Sequence, residues 1–452
     1  MKGINQDLTI GSIRQKLIAF ALPLLLGSLV QQLYNTVDLI FVGNVIGKSA
    51  SAAIGASTLL ITCLIGFFSG MSVGSGVVIA QIYGARNEEK LSLAIHNTAA
   101  FCLTGGLVLM GMGYVLAPVF LRLIGTPESI QPAAAGYLRI YFLSFPSVVI
   151  YNLGSGVVRA LGDSRTPLYA QIAGGLTNVA MDYLFVTIFA DGINGVAWAT
   201  LLSQSVAAVI IVRCLTKLKD NYALRLNKIA FERSTMKEVL RIGLPAGAQS
   251  LVITLSNVAA QYHINSLGED AIAAFTAYFK VELLIYYPIV ALGQANMTFS
   301  GQNLGAGNLK RVRQGTLQCT LMSIALAVIT AAISIPLGGA LFRVFSWEES
   351  VILLGRQIIG ITFPFYPIYS ILQIVGDCLR GIGKSRGPML IIFVNICIIR
   401  TVLLFAVVPH WQDIRAVALT YPITWALTSG CMLVYYFRCR QKEDLFPYTS
   451  MT

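Results

Sequence analysis

A carboxylate interrupts the first long apolar run of the sequence. Asp38 lies in the segment QQLYNTVDLIFVG, which covers residues 31–43. A carboxylate at bilayer depth costs about 2.5–3.5 kcal/mol on insertion scales, so such acids usually serve a function. Gln31, Tyr34 and Asp38 follow at i, i+3 and i+7 and therefore share one helix face. A polar stripe with a protonatable group predicts a cavity, and such a cavity is the minimal part of an ion-driven transporter.

A second acid, Asp182, lies in another apolar run and follows Asn178 by one helical turn. An amide at this spacing can hydrogen-bond the carboxyl group in either protonation state. The alternative is a structural polar contact between two helices. Because intramembrane acids are mostly functional, we predict that Asp182 and Asn178 belong to the same site as Asp38.

The apolar runs of the C-terminal half contain further ionisable residues. Lys280 and Glu282 lie two residues apart and point to different helix faces. Lys280 either places its positive charge in the cavity, where it competes with a cation, or extends its apolar stem so that the ammonium group reaches the membrane interface. Asp377 either pairs with Arg380 or binds substrate or ions. Arg400 lies in the middle of a run and needs a partner that the sequence does not identify.

Other chemistry is disfavoured by the motifs. Two Gly-Lys-Ser triplets, 47–49 and 383–385, lack the glycine five residues earlier and the β-strand of a P-loop. The three histidines are far apart in sequence and no CxxC motif occurs, so we expect no metal site. An intramembrane enzyme would need a set of nucleophile and base, and none is visible in the sequence. We therefore predict that the protein is not an enzyme and has no cofactor apart from a coupling ion.

The composition predicts an all-α polytopic membrane protein. The chain is 56% hydrophobic and 12% charged, and its mean hydropathy is +0.72. Long apolar runs cross lipid as helices, and about 20 apolar residues suffice for one span. This length predicts twelve transmembrane helices, at 15–41, 52–82, 92–120, 133–158, 167–190, 194–215, 238–265, 271–300, 314–342, 353–378, 388–409 and 414–437.

The two halves of the chain repeat at an offset of 221–222 residues. AQIYGARN (80–87) aligns with GQNLGAGN (301–308), and RALGDSRTP (159–167) aligns with RGIGKSRGP (380–388). An even number of spans in each repeat gives both halves the same orientation, so the repeats relate by an axis along the membrane normal.

The repeat predicts two six-helix lobes related by a pseudo-twofold axis. The N-terminal lobe covers 1–215, a cytoplasmic loop covers 216–237, and the C-terminal lobe with a short tail covers 238–452. At this offset Asp38 corresponds to Ala260 and Asp182 corresponds to Leu403. Residues that served only the shared fold would be expected in both halves, so the two acids predict a site in the N-terminal lobe alone.

The basic residues set the predicted orientation, because cytoplasmic loops are enriched in Lys and Arg. Most of them lie on one side of the predicted spans, at the two termini and at 86–90, 159–165, 213–241, 310–313 and 380–386. Both termini are therefore predicted to be cytoplasmic, in a multi-pass protein of the cell (inner) membrane. The net charge of +12 follows from this asymmetry and does not suggest a nucleic-acid partner.

The chain resembles the multidrug and toxic compound extrusion (MATE) family along nearly all of its length. The motifs that carry the resemblance are QQLYNTVDLIFVG and the two repeated pairs quoted above. Acids in spans one and five make it similar to the DinF-like prokaryotic group. The resemblance implies a twelve-helix antiporter that exports bulky, often cationic drugs or toxic organic compounds in exchange for H⁺ or Na⁺. No obligate protein partner is implied.

The resemblance also implies roles for individual residues. The cation-coupling set is Asp38, Asp182, Asn178, Tyr34, Thr200 and Tyr137. The substrate-binding set is Gln31, Tyr34, Asn152, Lys280 and Asp377. The NorM-like group of the family has a glutamate in span seven, where this chain has Asn257 and Gln261 and no acid, so a C-lobe ion site of that kind is in doubt.

Pro23 lies early in the first predicted helix, and Pro245 lies at the repeated position of the seventh. Proline removes a helical hydrogen bond and kinks the helix. We predict that Pro23 is a hinge that bends when Asp38 is titrated, and the alternative is a static kink.

A lipid-linked oligosaccharide flippase of the same superfamily is the alternative function. A cavity for a pyrophosphate-linked substrate should be lined by several basic residues. The chain offers Lys280, Arg400 and Arg139 against Asp38 and Asp182, which favours the antiporter.

Overall fold

The computed structural model describes residues 7–41, 48–189, 192–219 and 221–441, without the side chains of 38–41, 48–53, 56 and 59. Helices make up nearly all of this part of the chain, and no β-strand occurs in it. Apolar segments fold into helices in lipid because every backbone N–H and C=O group then finds a partner within its own segment. The predicted all-α class is confirmed.

The described residues form two compact units. Unit 1 contains Asp7 and residues 22–247, and unit 2 contains residues 8–21 and 248–441. The lobe boundaries predicted around the loop 216–237 stay a prediction.

Unit 1 is built from seven helices and the first half of an eighth among its described residues. They are α1 (Ile13–Phe41, with residues 13–21 in unit 2), α2 (Lys48–Gly84), α3 (Glu88–Leu123), α4 (Gln131–Leu143), α5 (Phe145–Ala160), α6 (Arg165–Asp182), α7 (Gly192–Thr216) and residues 233–247 of α8 (Arg233–Asn265).

Unit 2 contains the rest of α8 and eight further α-helices within the described range. They are α9 (Glu269–Gly305), α10 (Leu309–Ser334), α11 (Gly338–Arg343), α12 (Glu349–Thr362), α13 (Tyr366–Gly381), α14 (Arg386–Ile392), α15 (Arg400–Trp411) and α16 (Ile414–Gln441). A π-helical segment, Phe393–Ile399, joins α14 to α15.

The helices account for all twelve predicted spans. Ten segments of the described chain are long and apolar enough to cross a membrane, and the bent pair α4–α5 forms an eleventh. The remaining predicted span, 167–190, corresponds to α6 and its π-helical continuation, Tyr183–Ile188.

Predicted span four, 133–158, is not a single straight helix. Helices α4 and α5 meet at Ser144 with a bend of 46°. Pro146 lies in the first turn of α5. N–H groups in the first turn have no acceptor within the helix, so a proline there costs no helical hydrogen bond. In the middle of a continuous helix the same residue would remove a hydrogen bond and clash with the preceding turn, and the break avoids both.

Predicted spans nine and ten are also interrupted. The helix of span nine ends at Ser334, two residues before Pro336, and the predicted residues up to 342 belong to the separate helix α11. Span ten is divided between α12 and α13 by the 3₁₀ turn Phe363–Phe365, which contains Pro364. The end predicted for span nine at residue 342 is therefore too late, whereas span ten is one membrane-crossing segment, Glu349–Gly381, with this turn inside it.

The repeated motifs are the turns between spans. Asn87 Oδ1 accepts a hydrogen bond from the Lys90 N–H (2.9 Å) at the start of α3, and Asn308 Oδ1 accepts one from the Arg311 N–H (3.1 Å) at the start of α10. Side-chain caps of this kind satisfy N–H groups that the helix itself leaves unpaired. The same type of side-chain cap therefore begins a helix in both halves of the repeat.

Candidate functional site

A polar face of α6 carries the second predicted acid. Gln171, Asn178 and Asp182 are separated by seven and four residues and therefore share one face. Asn178 is 2% exposed and Asp182 is fully enclosed. The π-helical segment begins directly after Asp182, and such segments are frequent at functional sites. The carboxylate is thus held inside unit 1 at an irregular point of its helix.

Tyr34 of α1 lies against this face. Its hydroxyl oxygen accepts a 3.1 Å hydrogen bond from Gln171 Nε2, and Gln171 Oε1 accepts a hydrogen bond from the hydroxyl group of Tyr151 on α5. Gly175 makes room for the phenol ring, because a Cβ at this position would lie 3.0 Å from Tyr34 Cδ1. Side-chain hydrogen bonds therefore join α1, α5 and α6 on the same face of α6 as Asp182.

The other residues predicted for the N-terminal site occupy different environments. Thr200 is half-buried, and its hydroxyl donates to the Val196 carbonyl within α7 (3.0 Å). Tyr137 is buried in α4, with its ring centroid 5.9 Å from that of Tyr141. The roles predicted for Thr200 and Tyr137 stay predictions.

Two residues of unit 1 that are predicted to bind substrate are less buried. Gln31 is exposed, and Asn152 is half-buried with its amide donating to the Val148 carbonyl (2.8 Å). Asp38 lies outside the residues whose side chains the structure describes. The hinge residue Pro23 is buried, and α1 continues through it as one helix.

Asp377 of unit 2 forms a buried ion pair. Its Oδ1 accepts a 2.7 Å hydrogen bond from Arg380 Nη2, and its Oδ2 accepts one from Gln373 Nε2 (2.7 Å). The guanidinium also donates to Gln249 Oε1 (2.9 Å). The carboxylate packs on α9 at Gly293, where a Cβ would lie 2.1 Å from Oδ2. The ion-pair alternative is therefore observed for Asp377, and its role in substrate binding stays a prediction.

Glu282 and Arg400 lie in a second polar cluster of unit 2, within an aromatic core. Glu282 accepts hydrogen bonds from the hydroxyl groups of Tyr366 and Tyr278, the latter at 3.2 Å. The guanidinium of Arg400 lies 4.4 Å from the ring centroid of Tyr421. Here the structure supplies partners for Arg400 that the sequence did not identify.

Sequence reasoning missed several members of these clusters, among them Gln171, Tyr151 and Tyr366. Gln171 carries a signal, because it lies about two turns before Asn178 on a face already predicted to be polar. Tyr151 and Tyr366 carry none, since tyrosines are frequent in membrane helices and the contacts join distant segments. Lys280 is half-buried on α9, and its role in substrate binding stays a prediction.

Comparisons with known proteins agree with this architecture. The MatE family model matches residues 23–184 and 245–406, so one model recognises both halves of the repeat. The chain is 30% identical to the probable multidrug resistance protein YpnP of Bacillus subtilis (strain 168), over 95% of this chain and 96% of that protein. It is 22% identical to the multidrug export protein MepA of Staphylococcus haemolyticus (strain JCSC1435), over 83% of each.

A solved structure shares the fold. It shows the outward-facing conformation of a multidrug resistance MATE family transporter of the MOP superfamily, with a TM-score of 0.88, 20% identity and coverage of 98% of this chain and 99% of that one. The family model covers more than half of the sequence, in two copies that begin at Pro23 and Pro245. The twelve-span, two-repeat chain therefore belongs to the MatE family of membrane transporters.

Proposed function

We propose that this protein is a cation-coupled antiporter that exports bulky, often cationic organic compounds in exchange for H⁺ or Na⁺. Relatives that match most of its length are named as multidrug resistance and multidrug export proteins. The observation that carries the proposal is the complete burial of Asp182 on the polar face of α6. Burial makes the charged form of a carboxyl group costly, so this acid is suited to take up and release a proton or a cation, and such an exchange couples the site to a gradient.

The coupling site in this proposal consists of Asp38 and Asp182, with Asn178 one turn from the second acid. Tyr34 connects the helix of the first acid to that of the second through its hydrogen bond with Gln171 (3.1 Å). A change of charge at either carboxylate therefore acts on a hydrogen-bonded contact between α1 and α6. Thr200 and Tyr137 are assigned to the same site, and Gln31, Asn152, Lys280 and Asp377 to substrate.

Alternating access would convert the change of charge into transport. We infer that protonation of Asp38 lets α1 bend near Pro23, which narrows the N-terminal cavity and displaces substrate outward. Pro23→Ala is then expected to slow turnover more than it weakens substrate binding, and Pro245→Ala to have a smaller effect. Equal impairment of transport by the two substitutions would contradict the asymmetric scheme.

The orientation belongs to the same proposal. An exporter in the cell membrane with both termini in the cytoplasm agrees with the concentration of basic residues between spans. The connector after α7 is rich in them, and it has Tyr222 and Leu224 buried against unit 1.

The flippase alternative is weakened by the position of Arg400. A pyrophosphate-binding cavity needs basic groups that the ligand can reach, and Arg400 is 3% exposed with its charge over the ring of Tyr421. Arg139 lies 5.6 Å from the ring centroid of Tyr114 and is exposed on α4. Of the three basic residues that the sequence offered, only Arg139 and Lys280 are then open to a ligand.

Transport by purified protein in proteoliposomes tests the proposal. We expect Asp38→Asn and Asp182→Asn to insert, to remain monodisperse and to lose gradient-driven efflux of a cationic dye. Glu128→Gln is the matched control, because it removes a carboxylate that is exposed in a loop. Abolishing the pH gradient and omitting Na⁺ in separate experiments identifies the coupling ion. Full efflux by both aspartate variants would refute the role of the acids.

A further inference from the structure

Arg400 places a permanent positive charge inside unit 2. Its side chain is 3% exposed, at the point where the π-helical segment of span eleven meets α15. Its contacts are neutral: the Tyr421 ring at 4.4 Å and the Thr424 hydroxyl oxygen at 3.4 Å from Nη2. Its Nε–H is buried and has no hydrogen-bond partner among the described residues. Arginine stays protonated in proteins, so this charge needs a negative counterpart.

Glu282 is the acid that fits this requirement. It lies in α9 with its Oε1 hydrogen-bonded by Tyr278 and Tyr366. Packed aromatic rings connect the two groups: Arg400 lies over the Tyr421 ring, and Trp425 packs against Tyr421 (centroids 5.9 Å apart) and against Tyr366, the hydroxyl donor to Glu282. The guanidinium and the carboxylate form no direct hydrogen bond in the described structure. Glu282 is half-buried, and Asp377, which is buried in unit 2, already pairs with Arg380 at 2.7 Å.

We propose that Arg400 is a resident counter-cation for Glu282, so that this carboxylate does not exchange H⁺ or Na⁺ while the guanidinium is present. The guanidinium supplies the charge that an exchangeable cation supplies to an isolated carboxylate in a membrane. The inference goes beyond the proposed export function and does not depend on it. Under the proposed cation coupling, its consequence is that exchange of the coupling cation is confined to unit 1.

The surroundings of Glu282 contain no other charge that would replace Arg400 within the described residues. Lys280 lies two positions away on α9 and points to another face, and α12 contributes Arg356, whose stem lies against Gly338. The remaining titratable groups that face the cluster are Tyr278 and Tyr286 of α9, Tyr366, Tyr369 and the paired Asp377 of α13, and Tyr421 of α16. These tyrosines are neutral phenols at physiological pH.

Trp425 of α16 is a built-in reporter for this cluster. Its ring centroid lies 4.8 Å from that of Tyr366, which donates to Glu282, and 5.2 Å from that of Tyr369. The chain has four tryptophans. Replacement of Trp198, Trp347 and Trp411 by phenylalanine leaves a full-length protein in which Trp425 alone reports a change of charge at Glu282.

The emission of Trp425 is measured in purified protein between about pH 5 and 9, in Na⁺ and in choline buffers. With Arg400 present we expect no change with pH or Na⁺. Arg400→Met should make the emission depend on pH or Na⁺, and the added change Glu282→Gln should remove that dependence. A response of the parent protein that Glu282→Gln abolishes would overturn the proposal, as would a folded Arg400→Met protein without any response.

Thermal unfolding of the same variants covers the case in which Arg400→Met folds poorly. Removing one member of a buried charge pair is strongly destabilising, whereas removing both is much less so. We expect each single variant to melt at least about 5 °C below the parent and the double variant Glu282→Gln/Arg400→Met to recover most of the loss. A double variant no more stable than Arg400→Met would refute the pairing, whatever the result of any transport assay.

Discussion

The crossing of α2 and α8 in unit 1 depends on four glycines at helical spacing. Gly70 and Gly74 of α2 face Gly243 and Gly247 of α8. A Cβ at Gly70 would lie 2.5 Å from both the Cα and the N of Gly247. Carbon atoms are in optimal contact at about 3.5–4.0 Å, so an added methyl group requires the two backbones to separate by about 1 Å. Small residues at four-residue spacing are the usual means of such close approach in membranes.

The magnitude follows from two opposing effects of Gly70→Ala. Overpacking of a well-packed contact costs about 1–3 kcal/mol, and here the obstacle is backbone that cannot rotate away. Alanine in a helix regains up to about 1 kcal/mol relative to glycine. Gly105→Ala in α3 isolates the second effect, because nothing lies within 4 Å of a Cβ built there. The two variants should therefore differ in free energy of unfolding by about 1–3 kcal/mol.

Thermal unfolding in one detergent, followed by size-exclusion chromatography, measures the difference. Gly70→Ala should melt several degrees below the parent, and Gly105→Ala should melt at or slightly above it. Gly74→Ala should behave like Gly70→Ala, since its Cβ would lie 2.4 Å from the Val239 carbonyl oxygen. If Gly70→Ala proved as stable as Gly105→Ala, the close approach of the two helices would be wrong.

Three further outcomes are expected. Arg380→Met should lower stability by about 3–5 kcal/mol because it leaves the buried carboxylate of Asp377 without its partner; in melting experiments the double variant with Asp377→Asn should lose less. Hydrogen bonds from the Thr235 hydroxyl group, and then from the backbone N–H groups of Thr235 and Ser234, lower the pKa of Glu232 to about 2. Its contribution to the start of α8 is therefore complete above about pH 4.5 and is lost as the pH falls toward 2; amide exchange of the first turn against pH should show this, and Glu232→Gln should abolish it. A cysteine near Glu348 should react with an impermeant reagent applied to intact cells, whereas one in the loop 216–237 should not; labelling of that loop would refute the predicted orientation.

The spans were predictable because membrane helices are defined by apolar length, which the sequence shows directly. The breaks in spans four, nine and ten were available too, since Pro146, Pro336 and Pro364 lie at or just beyond them. The π-helical segments left no comparable signal. A π turn replaces one hydrogen-bond register by another, and no residue type in Tyr183–Ile188 or Phe393–Ile399 requires it.

The site was predictable only along single helices. The spacing of Asn178 and Asp182 identified one face of α6, since a helix converts spacing into direction. The contact of Tyr34 with Gln171 joins residues 137 positions apart, and that of Tyr366 with Glu282 joins residues 84 apart. Periodicity shows which face of a helix is polar but not which other helix lies against it, so these contacts required the structure.

The repeat and the charges together explain how one fold supports two unlike halves. Asp182 corresponds to Leu403 at the repeat offset, and Arg400 lies three residues before Leu403. Span five thus buries an acid close to the position at which span eleven buries a base. Among the described residues of unit 2, Asp377 is paired to Arg380 and Glu282 is assigned to Arg400. Under the proposed function, Asp182 exchanges a cation that comes and goes. An ion gradient can drive transport only through a site whose cation is exchanged with the solution. The permanent charge of the arginine in unit 2 would therefore confine the coupling to unit 1.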